Sequence, residues 1–132
     1  MLGKAKLTAF VATAKPAKAR AFYQRTLGLR LLAEDKFALA FDSNGVQLRI
    51  QKVEKLKPMP FTALGWEVRS LRRAMAALSK SGVAFERYPF LEQDDAGVWT
   101  APGGTKVAWF NDPDGNVLSL AESPTARSSR RS

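Results

Sequence analysis

Neither imidazole nor thiolate is available to this chain: its 132 residues include no His and no Cys. That removes the commonest general base and the commonest transition-metal ligand, together with Cys-zinc sites, disulfides and thiol nucleophiles. Acid–base chemistry would fall to a carboxylate with a raised pKa; Glu67 is the candidate, and no sequence feature signals such a shift. Trp99 and the adjacent Trp109-Phe110 could stack on a planar ligand, although core or dimer interface is the commoner use of such residues. The acidic stretch Glu92-Gln-Asp-Asp95 could form a lid or a solvated turn. Gly103, Gly104 and Gly115 read as turn glycines, since no Gly-rich nucleotide fingerprint precedes a helix.

The elements that must position these residues come as two copies of one order. Ala5–Ala12 is strand-like. A helix is predicted from Pro16 to Leu27, with Pro16 in its first turn, Ala19, Phe22, Tyr23 and Leu27 on one face, and Gly28 closing it. Lys15 stands where a capping side chain would, so that end should be weakly capped. Strand-like runs follow at Leu29–Ala33, Phe37–Phe41 and Val46–Val53, with Ser43-Asn44-Gly45 as a hairpin turn. The second copy begins with the strand Thr62–Val68. Ser70 caps a helix with the apolar stripe Leu71, Ala74, Met75 and Leu78, and Gly82 ends it. Strands are predicted at Val83–Tyr88, at Val98–Phe110 broken by Pro102-Gly103-Gly104, and at Asn116–Glu122. Asp112-Pro113-Asp114-Gly115 reads as a turn. The pattern is βαβββ twice, about residues 5–53 and 62–122, with each helix covering one sheet face and the other faces free to form a shared concavity.

A chain of this length suits one domain, here 1–122. Its 45% hydrophobic and 25% charged residues exclude a disordered chain or a coiled coil. No apolar run reaches transmembrane length, and the N-terminus lacks a secretory pattern, so a cytoplasmic protein is expected. Lys plus Arg exceed Asp plus Glu by 21 to 12, a net charge of +9. Lys4, Lys6, Lys15, Lys18, Arg20, Arg25 and Arg30 all precede the first acid, Glu34, and predict one positive edge. Residues 123–132 carry Arg127, Arg130 and Arg131 without an acid and read as a basic, disordered tail. No nucleic-acid-binding motif accompanies the charge, so solubility or an anionic small ligand accounts for it better.

Two segments carry a family resemblance: Lys18-Ala-Arg-Ala-Phe-Tyr-Gln-Arg-Thr-Leu-Gly-Leu and Val107-Ala-Trp-Phe-Asn-Asp-Pro-Asp-Gly-Asn-Val-Leu-Ser-Leu. In their order, spacing and duplicated frame they resemble the vicinal oxygen chelate superfamily, the glyoxalase/bleomycin-resistance/dioxygenase group, across about residues 5–122. Residues 92–104 are similar to a bacterial glyoxalase-like subgroup. The resemblance implies an α+β fold in which two βαβββ modules form a curved mixed sheet around a shared concave cavity, and a homodimer. It also implies a divalent metal held by His or Gln on each module's first strand and Glu on each last strand. Carried over one by one, those positions fall on Thr8, Arg49, Ala63 and Ser119. Two hydroxyls, a methyl and a guanidinium do not make a zinc, iron or nickel site, and Arg49 would repel a divalent ion. A two-residue offset would substitute Gln47 or Gln51 for Arg49 without restoring imidazole.

Strand alternation groups the residues of the predicted concave face. Thr8, Phe10 and Ala12 share a side, as do Gln47, Arg49 and Gln51. In the second copy the groups are Ala63, Gly65 and Glu67, then Val117, Ser119 and Ala121. Leu64, Trp66, Val68, Leu118 and Leu120 should lie under the helices. The expectation is therefore a metal-free, cofactor-free binding protein of the bleomycin-resistance type. Its expected ligand site comprises Thr8, Phe10, Gln47, Arg49, Ala63, Glu67, Trp99 and Ser119. Arg49 would pair with a ligand carboxylate or, alternatively, with Glu67. The basic balance favours an anionic or neutral ligand over a cationic drug. The alternatives are a glyoxalase-like lyase or dioxygenase, and an interaction module using the basic surface.

Overall fold

The computed structural model describes residues 1–124; the predicted tail from residue 125 on, with its three arginines, lies outside the described residues. The chain divides into two compact units. One comprises Met1–Pro58 with Asp112–Gly115, the other Met59–Asn111 with the chain from Asn116 onward. Each contains a four-stranded sheet and one main helix, which is the α+β duplication expected.

In the first unit, module one, the strands are β1 (Thr8–Thr13), β2 (Arg30–Glu34), β3 (Ala38–Ser43) and β4 (Val46–Lys52), in the order β1-β4-β3-β2. β1 and β4 are parallel and the other pairs antiparallel. Asn44 and Gly45 turn β3 into β4 with φ of 48° and 89°, the left-handed pair that a tight hairpin requires. The predicted long helix is in fact α1 (Pro16–Ala21) running into a wider π-type turn at Phe22–Thr26. The wide turn shows in Leu27 N–H donating to the Phe22 carbonyl at 2.9 Å. No side chain caps α1, as Lys15 foretold. Alternation on the strands sends Val11, Leu39, Phe41, Leu48 and Ile50 into one core with Ala19 and Tyr23.

In the second unit, module two, β5 (Thr62–Glu67) is followed by α2 (Leu71–Lys80), β6 (Trp99–Thr100), β7 (Lys106–Asn111) and β8 (Val117–Glu122). The order β5-β8-β7-β6 repeats that of module one. Ser70 Oγ caps α2 by accepting from Arg73 N–H at 3.2 Å, and Glu122 Oε1 accepts from Leu71 N–H at 3.0 Å. Leu71, Met75, Ala108, Phe110, Leu118 and Leu120 are buried.

One predicted strand is corrected. Val83–Tyr88 forms no strand, only an isolated bridge between Phe85 and Phe110 and a bond from Glu86 N–H to the Trp109 carbonyl. The physical reason is Gln93. Its Oε1 accepts from Tyr88 N–H at 2.7 Å, and its Nε2 donates to the carbonyls of Glu86 at 3.0 Å and Gly97 at 2.7 Å. A side chain thus satisfies backbone groups that a strand partner would otherwise hold. The outer edge of β7 is consequently divided between Phe85–Glu86 and the two residues of β6.

Candidate ligand-binding site

On module one the open sheet face is set by register. Ladder partners point the same way, so Thr8, Gln47, Asp42 and Arg30 form one row across β1, β4, β3 and β2. Phe10, Arg49, Ala40 and Ala33 form the next. Arg49 therefore stands mid-sheet between Phe10, which is 53% exposed, and the small Ala40. Arg30 pairs with Asp42 at 3.8 Å, whereas Arg49 has no ion-pair partner among the described residues. Its field is felt by Asp35, whose carboxyl lies below the usual range. The main cause there is hydrogen bonding from the backbone of Phe37 and then Ala38; desolvation opposes it, and Arg49 and Lys52 add smaller lowering effects.

Module two builds a different surface on the corresponding face. Glu67, Ala121, Val107 and Trp99 form one row, and Gly65, Ser119 and Trp109 the next. A β-bulge between Thr62 and Leu64 contains Ala63, so Thr62 takes the position opposite Val117. The Thr62 hydroxyl accepts from the Trp109 indole N–H at 3.1 Å. Beside Gly65 the space is taken by a neighbour, because a Cβ there would lie 2.6 Å from Ser119 Oγ.

Around Trp109 the rings continue. Trp99 lies 6.1 Å away at 38°, Tyr88 lies edge-on at 5.7 Å, and Phe90 stacks on Tyr88 at 5.5 Å. Phe90 remains 78% exposed. A recess of about 200 Å³ opens here, lined by Phe61, Thr62, Tyr88, Phe90 and Trp109 among others. Burial, and to a lesser degree the charge of Glu86, raises the Tyr88 phenol.

The acidic loop beside this row is pinned. Arg87 donates to the carbonyls of Gln93 and Asp94, and Asp94 Oδ1 accepts from Ala96 and Val98 N–H. Together with the Gln93 clamp, these bonds fit an ordered turn better than a free lid.

The eight expected site residues thus fall on two faces. Thr8, Phe10, Gln47 and Arg49 are neighbours on module one; Glu67, Trp99 and Ser119 share the open face of module two, with Ala63 in its bulge. Sequence reasoning weighed Trp109 for stacking without placing it in the site, and missed Thr62, Tyr88 and Phe90. The Thr62–Trp109 bond spans 47 positions and leaves no local trace. The aromatic residues flanking Pro89 were the one signal available. Trp66, expected under the helix, is half-buried, and Phe110 is fully buried on the face opposite Trp109.

The residues at the four metal positions implied by the resemblance do not fit a metal. Thr8 and Arg49 are diagonal neighbours, and Ser119 lies opposite a glycine. Among the described residues no group of three or more His, Cys, Asp or Glu side chains is placed to hold an ion.

The family model described as Glyoxalase/Bleomycin resistance protein/Dioxygenase superfamily matches residues 7–120. An antibiotic binding protein of Streptomyces sp. CB03234, TnmS3, is similar at 25% identity and a TM-score of 0.70, covering 93% of this chain and 98% of its own. A glyoxalase/bleomycin resistance protein/dioxygenase from Alicyclobacillus acidocaldarius has 17% identity and a TM-score of 0.70, covering 94% and 95%. The lactoylglutathione lyase of Agrobacterium tumefaciens has 13% identity and a TM-score of 0.70, covering 90% and 93%. No curated protein matches the chain.

Proposed function

Because the chain belongs to the Glyoxalase/Bleomycin resistance protein/Dioxygenase superfamily, we propose that it binds a small planar organic molecule, neutral or anionic, without a metal or other cofactor. The observation that carries this reading is the aromatic row Trp99–Trp109–Tyr88–Phe90 on the open face of module two. Such a row offers stacking area at low entropic cost, and the Thr62 hydroxyl holds its central indole in place. Small neighbours at Gly65, Ala63 and Ser119 leave Trp99, Trp109 and Tyr88 half-exposed, and Glu67 edges the face. The similarity to an antibiotic binding protein supports a binding role.

Arg49, with Thr8, Phe10 and Gln47 around it, is the proposed contact for a carboxylate on the open face of module one. An unpaired guanidinium can meet a carboxylate through two parallel hydrogen bonds. The net charge of +9 favours such a ligand over a cation. The working form proposed is a cytoplasmic homodimer. Among the described residues, no helix is long and apolar enough to cross a membrane.

The test is a thermal-shift and calorimetric series with divalent metals, 2-naphthoate and 2-naphthol. Both aromatic probes raise the melting temperature and metals alone do not. Trp109→Ala weakens both probes by about fivefold or more, a stacking contribution of about 1–3 kcal/mol. Stabilisation by nickel, zinc or iron would overturn the metal-free reading, and unchanged affinity in Trp109→Ala would overturn the stacking face. Sedimentation equilibrium checks the dimer.

A further inference from the structure

Module two has a second concavity, on the helix side of its sheet. It is an open groove of about 840 Å³ running between α2 and the loop of residues 94–100. This size falls within the range of small-molecule sites, about 300–1,000 Å³. Its opening follows from the Gln93 clamp: the outer edge of β7 carries only the two-residue β6, so no full-length strand lies beneath the outer side of α2.

The lining is apolar along the helix and charged beside it. Ala76, Phe85, Ala96 and Val98 present carbon surface above a floor of the buried Leu71 and Met75. Two carboxylates and two cations also reach the groove. The carboxylates are already engaged: Glu122 Oε1 takes the Leu71 N–H, and Asp94 Oδ1 takes those of Ala96 and Val98. The cations, Arg72 and Lys106, are exposed and have no ion-pair partner among the described residues. Apolar surface next to uncommitted positive charge matches a molecule with an apolar body and one anionic head.

We propose that this groove is a second binding site, for an amphipathic organic anion whose body lies along Ala76, Phe85 and Val98, over Leu71 and Met75, and whose head is held by Arg72 and Lys106. It uses the sheet face opposite to the aromatic row, so it stands or falls independently of the function proposed above.

Calorimetric titration of the full chain with decanoate, and with decyltrimethylammonium as the cationic counterpart, tests it. Decanoate binds more tightly than the cation. The double variant Arg72→Glu/Lys106→Glu weakens decanoate by about tenfold or more, the loss expected for a charge-assisted contact. Ala76→Trp, at an exposed helix position lining the groove, blocks decanoate sterically. Trp109→Ala, on the other face, leaves decanoate affinity within about twofold, the scatter expected for an independent site. Equal or tighter binding of decyltrimethylammonium would overturn the proposal. So would unchanged decanoate affinity in the double variant, or loss of decanoate binding in Trp109→Ala. If Ala76→Trp fails to fold, the surface double variant still decides the matter.

Discussion

Module one and module two share a strand order and a pattern of alternation, yet they differ in what holds the outer part of each sheet. In module one a five-residue strand, β2, completes the sheet, and ion pairs tie its end down: Glu34 meets Lys52 at 2.8 Å and Arg20 at 3.2 Å. In module two the corresponding edge is two residues long, and the amide of Gln93 holds the loop beside it. The difference reaches the surfaces. Module one presents a polar sheet face centred on Arg49; module two presents rings on one face and a groove on the other. A duplicated framework can therefore diverge in function while its core alternation stays fixed, because edges and loops carry few of the core contacts.

The sharpest way to break module one lies outside its strands. Asp112–Gly115 joins β7 to β8 in sequence but belongs to the first unit. The buried Tyr23 hydroxyl donates to Asp112 Oδ2 at 2.7 Å, and Asp114 N–H donates to Asp112 Oδ1 at 3.0 Å. Asp114 in turn accepts from the Thr13 hydroxyl and from Ala14 N–H. Asp112→Ala leaves a buried phenol without its acceptor. It should cost about 3 kcal/mol, since bonds to charged groups are worth about 1.5–3 kcal/mol and the orphaned group adds its own desolvation. Chemical denaturation of the variant measures this; a loss below about 1 kcal/mol, the size of an ordinary surface contact, would show that the turn is only a connector.

The second prediction strikes module two at its clamp. Gln93→Ala removes the partner of one backbone N–H and two carbonyls. It should cost about 2 kcal/mol, a sum of neutral hydrogen bonds at roughly 1 kcal/mol each, reduced because the loop is partly hydrated. It should also weaken 2-naphthoate, because Tyr88 N–H is one of the groups held. The equivalent cut in module one, Glu34→Ala, removes only exposed, solvent-screened ion pairs and should cost far less than Gln93→Ala. Equal losses in the two variants would erase the proposed contrast.

That contrast also explains what could be read from the residues in order. The two helices, the hairpin at Asn44-Gly45, the Ser70 cap and the buried faces of β1, β3, β4 and β8 follow from periodicity and turn chemistry, which are local. The strand expected at Val83–Tyr88 failed because a side chain ten residues beyond its start, Gln93, competes for its backbone groups. The aromatic row was only partly legible for a similar reason. Trp99 and Trp109 stand out by type, but Tyr88 reaches Trp109 only through the folded loop, and Thr62 does so only through the bulge in β5. The Asp112–Gly115 turn was recognised by its residues, while its attachment to Tyr23 and Thr13 is long-range and invisible to spacing.

Tyr23 allows a pH test confined to module one. Burial first, then the charge and hydrogen bond of Asp112, hold its phenol well above the usual range. A group whose folded pKa is raised stabilises the native state fully below its unfolded pKa, and that contribution falls as pH rises beyond it. The loss should therefore begin near pH 10, with a slope of about 1.4 kcal/mol per pH unit, because the unfolded chain releases a proton that the native chain keeps. Tyr23→Phe should be less stable at neutral pH and should lack this part of the alkaline decline. Parallel alkaline limbs in variant and parent would show that other groups control the decline.

The smallest effect discriminates the two open faces. Module one has Phe10 opposite Arg49, and module two has Gly65 opposite Ser119. A Cβ on Gly65 would come within 2.6 Å of Ser119 Oγ, but its approach to the Ser119 carbonyl is an ordinary 3.8 Å. The overlap is thus with the end of one side chain, which can rotate away. Gly65→Ala should cost no more than about 1 kcal/mol, at the mild end of overpacking. Adding Ser119→Ala should restore that loss, giving a coupling of similar size in a double-mutant cycle. If the double variant remains as destabilised as the single one, the close approach is between backbones, and glycine is required by the strand itself rather than by its neighbour.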